Sequence, residues 1–78
     1  MSDNRRIAEA YARDVGYDTI RPAGTKSGFT YFHVFNQSSI GHKPGLPHII
    51  KINDAGQLKI VKNLKERMWA ISEEVKLL

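Results

Sequence analysis

The chain of 78 residues contains no cysteine, so neither a disulfide bond nor a thiolate metal site is possible. It has no apolar run that approaches the ~20 residues of a membrane-spanning helix, and its first ten residues are polar and charged. These absences lead us to expect a cytoplasmic protein with no membrane partner. A chain this short accommodates one domain, which we expect to span residues 1–78.

Acidic residues are nearly absent from the middle of the chain. Residues 19–65 carry seven lysines and arginines but a single acid, Asp54, although the net charge of the whole chain is only +4. The two flanks, 1–18 and 66–78, each hold one acid more than they hold bases. A basic centre of this kind is typical of a surface that binds a polyanion. The alternative is that the lysines simply keep a small sheet soluble.

Hydrophobic periodicity predicts a helix near each end of the chain. The first helix is expected to end at Gly16, a residue that favours helix termination. The second contains an apolar seam that we expect to pack into the core, with self-association as the alternative: Val61, Leu64, Met68, Ile71, Val75 and Leu78. Asn63 and Glu66 have the spacing of a capping box, so this helix is expected to begin near Leu64.

The segment between the helices predicts three or four strands. Residues 29–36 contain all three phenylalanines, residues 48–52 follow, and the turn sequence NDAG leads into QLKIV. An alternative makes residues 55–62 the start of the last helix. The element order predicts an α+β fold with an N-terminal helix, a three- to four-stranded antiparallel meander and a C-terminal helix. We expect both helices to lie on one face of the sheet.

Two helices on one face would leave the other face of the sheet open. Alternation along the last two strands places Lys51 and Lys59 on the open face. The same alternation assigns four residues to the core: Ile50, Ile52, Leu58 and Ile60. Two arrangements remain for residues 29–36. Either Phe32 points inward and the open face presents Tyr31, His33 and Phe35, or these three rings belong to the core.

An open face with aromatic rings and lysines would stack bases and neutralise phosphates. The leading prediction is therefore a small non-enzymatic module that binds nucleic acid, with RNA favoured over DNA. A loop rich in glycine and proline, residues 38–47, is expected to complete the site. The predicted contacts are Arg21, Lys26, Tyr31, His33, Phe35, His42, Lys43, Lys51 and Lys59.

The alternative function is a protein-interaction module, such as an inhibitor of bacterial or phage origin. Trp69 lies off the apolar seam, so it either covers the edge of the core or anchors a partner together with the helix faces. We expect a monomer or a weak homodimer. The three histidines lack the spacing of a metal or catalytic motif, so neither a metal nor a cofactor is expected.

The segment ARDVGYDTIRPAGTKSGFTYFHV resembles the opening of HicA-type toxins, small messenger-RNA interferases whose fold is similar to double-stranded-RNA-binding domains. The resemblance covers roughly the first half of the chain and implies the order helix, meander, helix. It also implies ribonuclease activity as a further alternative. That family has a catalytic histidine just after the turn glycine, whereas this chain has Gly24-Thr25-Lys26 there, with His33 further along.

Overall fold

A computed structural model describes residues 4–37 and 48–77 and confirms the predicted α+β order. Its elements are α1 (Asn4–Asp14), β1 (Thr19–Lys26), β2 (Phe29–Phe35), β3 (His48–Asn53), β4 (Leu58–Ile60) and α2 (Leu64–Leu77). The four strands form one antiparallel sheet in the order β1-β2-β3-β4. The segment 58–60 is therefore a strand, and the alternative that began the last helix there is wrong.

Both helix boundaries follow the local signals in the sequence. After α1, Gly16 adopts a φ of +91°, and the amides of Gly16 and Tyr17 donate to the carbonyls of Arg13 and Ala12, which is a Schellman motif. Before α2, the Asn63 side chain accepts hydrogen bonds from the Lys65 amide at 2.8 Å and the Glu66 amide at 3.3 Å. The predicted stop at Gly16 and start near Leu64 are confirmed.

The two helices lie on opposite faces of the sheet, so the prediction of a shared face is wrong. Ala8 and Ala12 of α1 pack in one buried cluster with Phe32, Val34, Ile50 and Ile52. Ala70 of α2 packs in a second cluster with Ala23, Tyr31, Ile49 and Val61. We call the face of the sheet that α1 covers the α1 face and the face that α2 covers the α2 face. Since neighbouring residues of a strand point to opposite faces, Phe32 belongs to the cluster under α1 and Tyr31 to the cluster under α2.

The reason for two covered faces is that the central strands are apolar on both sides. Tyr31, Phe32 and Val34 of β2 are all buried, as are the adjacent Ile49 and Ile50 of β3. Strands of this composition need a layer on each face. The two arrangements that we considered for residues 29–36 were not exclusive, because each face of β2 contributes to a core.

The predicted apolar seam packs into the core only in part: Val61 is buried and Ile71 packs against the same cluster, while Leu78 lies outside the described residues. Leu64, Met68 and Val75 are 56%, 64% and 62% exposed, whereas Ala70 is fully buried. In the strands, Ile50 and Ile52 are buried as predicted, Leu58 is half-buried, and Ile60 is 43% exposed because it lies on the short edge strand β4.

A close approach at Gly24 seats α2 on β1. Gly24 has a φ of +90°, and a Cβ atom built there would lie 3.2 Å from the Cβ of Glu73 on α2. Gly28 has a similar φ of +81° but no atom within 4 Å of its hypothetical Cβ. A residue with a side chain would be strained at either position because of the positive φ. Only at Gly24 would its Cβ also press against α2.

We predict that Gly24→Ala lowers the free energy of unfolding by about 1 kcal/mol more than Gly28→Ala does, because only the first adds a clash to the strained backbone. Urea unfolding of the two variants beside the wild type measures this difference. Gly28→Ala is the matched control for the positive φ. Equal losses for both variants would contradict the seating of α2 on β1.

Candidate nucleic-acid interface

Tyr31 is covered by α2 and is not available for base stacking, which corrects its predicted role. Its side chain is 2% exposed, and its hydroxyl donates a hydrogen bond of 2.8 Å to Oε2 of Glu66. The Trp69 ring meets it edge-on with ring centroids 4.9 Å apart. Burial, followed by the contact with Glu66, raises the pKa of Tyr31 to about 12. Tyr31 thus anchors α2 to the sheet.

His33 and Phe35 also lie on the α2 face, in a cluster at the other end of β2. His33 Nδ1 lies 2.8 Å from Oε1 of Glu74, which is buried, and the rings of His33 and Phe35 are 4.8 Å apart. Arg21, the register partner of His33 on β1, places its guanidinium 5.3 Å from the centre of the Phe35 ring. Arg21, His33 and Phe35 are therefore half-buried. They contact one another or α2, and they do not lie on an open face of the sheet.

Three of the predicted lysines converge on two half-buried aromatic rings at the opposite end of the α2 face. Lys51 and Lys59 place their ammonium groups 4.7 and 6.0 Å from the centre of the Phe29 ring. Lys26 lies 5.1 Å from the centre of the Trp69 ring. Phe29 and Trp69 are both partly exposed. We call Lys26, Phe29, Lys51, Lys59 and Trp69 the Phe29 patch.

Strand register assembles the Phe29 patch. Lys26 and Phe29 face each other across the β1–β2 hairpin, whose turn residues Ser27 and Gly28 have φ values of +54° and +81°, as in a type I′ turn. Lys51 and Lys59 are partners across β3 and β4. Since α2 lies chiefly over β1 and β2, Lys59 stays exposed at the uncovered side of the sheet.

The Phe29 patch is positive because, among the described residues, its three lysines form one ion pair, that of Lys51 with Glu66. Lys51 Nζ lies 3.0 Å from Oε2 of Glu66, and the Tyr31 hydrogen bond together with Lys51 holds the pKa of Glu66 below its ordinary value. Among residues 4–37 and 48–77, Lys26 and Lys59 form no ion pair. Within the described part of the chain, the two lysines beside Trp69 and Phe29 are therefore not neutralised by a carboxylate.

His48 has a structural environment on the α1 face. Its Nε2 lies 2.7 Å from the Tyr11 hydroxyl, and its ring stacks against Tyr11 and Tyr17 at centroid distances of 5.7 and 5.4 Å. Burial lowers the pKa of His48, which favours the neutral ring. In the described part of the chain, no three histidine, aspartate or glutamate side chains form a group that could hold a metal ion.

The predicted loop site lies outside the described residues, since His42 and Lys43 fall within 38–47. The contacts predicted from the sequence included the three lysines of the patch but not Phe29, the ring that Lys51 and Lys59 approach. The signal was the two-residue turn at Ser27 and Gly28, which places Lys26 opposite Phe29. Trp69, predicted as a partner anchor or a cover for the edge of the core, packs against Tyr31 in a T-shaped pair and stays partly exposed.

Comparison with known protein families, with curated proteins and with solved structures finds no match to this chain. The resemblance to HicA-type toxins therefore stays a prediction. Within residues 4–37 and 48–77, no helix is long and apolar enough to cross a membrane.

We predict that Tyr31 is the last tyrosine to ionise and that its ionisation destabilises the fold. Because its pKa is raised in the folded state, its contribution to stability is complete below the ordinary value of 10.0 and is lost as the pH rises towards about 12. Phenolate absorbance during an alkaline titration should show a late step that is missing in Tyr31→Phe.

Tyr17→Phe serves as the control for this titration, since Tyr17 lies on the α1 face and packs with the other cluster. We expect the late step to persist in that variant. The pKa of Tyr11 is also raised by burial, so a step near pH 12 that survives in Tyr31→Phe and is lost in Tyr11→Phe would show that Tyr11, and not Tyr31, is the last tyrosine to ionise.

Proposed function

We propose that the chain is a non-enzymatic module that binds single-stranded nucleic acid, RNA in particular, and that the Phe29 patch is its contact surface. The observation that carries the proposal is the convergence of three lysine side chains on the half-buried rings of Phe29 and Trp69, at 4.7 to 6.0 Å. Surfaces that bind single strands combine ring faces for the bases with cations for the phosphates. The patch provides both elements within one end of a small sheet.

Binding would exchange one set of ring contacts for another. In the free protein, the ammonium groups of Lys51 and Lys59 lie near the Phe29 ring, a contact worth roughly 0.5–1 kcal/mol at an exposed site. A base that stacks on Phe29 displaces these groups, and their flexible stems allow them to reach the adjacent phosphates. Lys51 keeps Glu66 as an alternative partner, so Lys26 and Lys59 are the cations that contribute most to affinity.

The patch is smaller than the open sheet predicted from the sequence. Tyr31 is buried under α2, and His33 is bonded to Glu74, so neither belongs to the proposed contact surface. Arg21 and Phe35 are paired with each other. The proposal does not depend on His42 or Lys43.

Single strands fit the patch better than a duplex does, because bases must be splayed out before an aromatic ring can stack on them. Phe29 and Trp69 offer room for few bases. We therefore expect modest affinity and a strong dependence on salt, as for other surfaces in which lysine–phosphate contacts dominate.

We predict that the double variant Lys26→Gln/Lys59→Gln weakens binding to a fluorescein-labelled single-stranded RNA of mixed sequence. Fluorescence anisotropy in a salt series should show an affinity about 10-fold lower and a log–log salt slope smaller by about 1.4, since two phosphate contacts are lost. Arg5→Gln/Arg6→Gln on α1 is the matched control with the same change in charge. Equal losses in the two double variants would contradict a localised contact surface.

We also predict that Phe29→Leu weakens binding by about 1–3 kcal/mol while the salt slope is unchanged, because it removes stacking but no cation. Trp69 fluorescence of the wild type should be quenched by the same RNA. Circular dichroism of the variant checks that its fold is intact. An unchanged affinity in Phe29→Leu would remove the aromatic part of the proposal.

The interferase alternative is separated from simple binding by examining the RNA recovered from these titrations on a denaturing gel. Intact RNA is expected from a binding module. Cleavage that is lost in His33→Ala would instead support the activity that the HicA resemblance implies.

The protein-interaction alternative is favoured by a different observation, the exposed apolar residues of α2.

A further inference from the structure

A carboxylate lies among the lysines of the Phe29 patch. Glu66 Oε2 is 3.0 Å from Lys51 Nζ, and the same ammonium group is 4.7 Å from the centre of the Phe29 ring. The Tyr31 hydrogen bond, then Lys51 and more weakly Lys26, hold the pKa of Glu66 below its ordinary value. The carboxylate is therefore ionised at neutral pH, and it lies beside the ring on which a base would stack.

The fold uses only one of the two oxygens of Glu66. Oε2 accepts hydrogen bonds from the Tyr31 hydroxyl at 2.8 Å and from Lys51 at 3.0 Å. Oε1 accepts no hydrogen bond from any residue that the structure describes, and the Glu66 side chain is 31% exposed. The lone pairs of one ionised oxygen are therefore open to a ligand within the patch.

The anchoring of α2 does not by itself require a charge at this position. The Tyr31 hydroxyl needs an acceptor, which the amide oxygen of a glutamine would also provide. A carboxylate instead lowers the positive potential of the patch and so weakens its attraction for phosphates. What a carboxylate adds is a stronger acceptor for N–H donors, since charge-assisted hydrogen bonds are roughly twice as strong as neutral ones.

Among the four RNA bases, guanine alone presents two neighbouring N–H donors, N1–H and the 2-amino group, on its Watson–Crick edge. Adenine, cytosine and uracil each place an acceptor atom next to a donor on that edge, and such an atom is repelled by a carboxylate. Proteins read this edge in single strands while the base stacks on an aromatic ring. A purine is wider than a phenyl ring, so the edge of a guanine that stacks on Phe29 extends beyond the ring and can reach Glu66.

We propose that Glu66 makes the Phe29 patch selective for guanine in single-stranded RNA. Guanine stacks on Phe29, and its N1–H and 2-amino group donate to Oε1 of Glu66, while Oε2 stays bound to Tyr31. This inference rests on the proposed function, because it requires the patch to bind RNA. It adds a base preference that lysine–phosphate contacts alone do not give.

Fluorescence anisotropy of the wild type with labelled RNA pentanucleotides tests the proposal. The set is UUGUU, UUAUU, UUCUU, UUUUU and UUIUU, in which I is inosine. All have the same charge, so lysine–phosphate contacts contribute equally to each. We expect UUGUU to bind about 10-fold more tightly than the oligonucleotides with a central A, C or U. UUIUU, which retains N1–H but lacks the 2-amino group, should have an intermediate affinity.

The variant Glu66→Gln separates base recognition from the anchoring of α2. Its amide oxygen still accepts from Tyr31, but the preference for UUGUU over UUUUU should fall to about 2-fold or less, because the charged acceptor is lost. A purely structural Glu66 would change all affinities by the same factor and leave this ratio unchanged. Glu73→Gln, which removes the same charge from α2 at the ion pair with Lys76, is the matched control and should keep the wild-type ratio. Far-ultraviolet circular dichroism of each variant confirms that it folds.

The outcomes separate this inference from the function on which it rests. Equal affinities of the wild type for all the pentanucleotides would overturn guanine selectivity and leave the proposed function standing. Failure of the wild type to bind any of them at low salt would overturn both. A preference for UUGUU that persists in Glu66→Gln would overturn the role of Glu66.

Competition with guanosine monophosphate distinguishes a guanine within RNA from a free nucleotide. We expect the mononucleotide to compete at least 10-fold more weakly than unlabelled UUGUU, because it lacks the flanking phosphates that Lys26 and Lys59 contact. Equal competition by the two would assign the site to a free guanine nucleotide and overturn selection within RNA.

Discussion

Two carboxylates of α2 fix how that helix lies on the sheet. Glu66 accepts hydrogen bonds from the Tyr31 hydroxyl at 2.8 Å and from Lys51 at 3.0 Å, and Glu74, two turns along, pairs with His33 at 2.8 Å. Because Tyr31 is buried and Glu74 nearly so, rotating the helix would leave polar groups without partners at a cost of about 1–3 kcal/mol each. The orientation of α2 therefore depends on these polar contacts together with the packing of Ala70, Trp69 and Ile71 against the sheet.

This orientation decides which surfaces are left for function. With Ala70, Ile71 and the two carboxylates against the sheet, Leu64, Met68 and Val75 remain exposed to solvent. The same placement covers Tyr31 and leaves Phe29, at the end of β2, accessible beside Lys51 and Lys59. One helix orientation thus produces both the proposed nucleic-acid contact and the exposed apolar side of α2.

Local signals in the sequence predicted the elements well because each signal acts on its immediate neighbours. Gly16 ends α1 through its left-handed backbone, Asn63 caps α2 with its side chain, and Asn53 closes the β3–β4 turn by accepting from the amides of Ala55 and Gln57. The alternation of side chains between the two faces of β2 and β3 was also predictable from the sequence. The error was to assume that one face must be core and the other open, although Ile49 and Ile50 already indicated a strand that is buried on both sides.

The sequence by itself determined the α+β order, the antiparallel meander, the helix boundaries and the basic character of the centre, since these follow from interactions between residues close in the chain. Only the tertiary structure decided which faces are covered and which rings are accessible. The side of α2 that meets the sheet depends on Glu66 and Glu74 finding Tyr31 and His33, partners 35 and 41 residues away. Periodicity reports that a helix has an apolar side, but the direction in which that side points depends on contacts between distant residues.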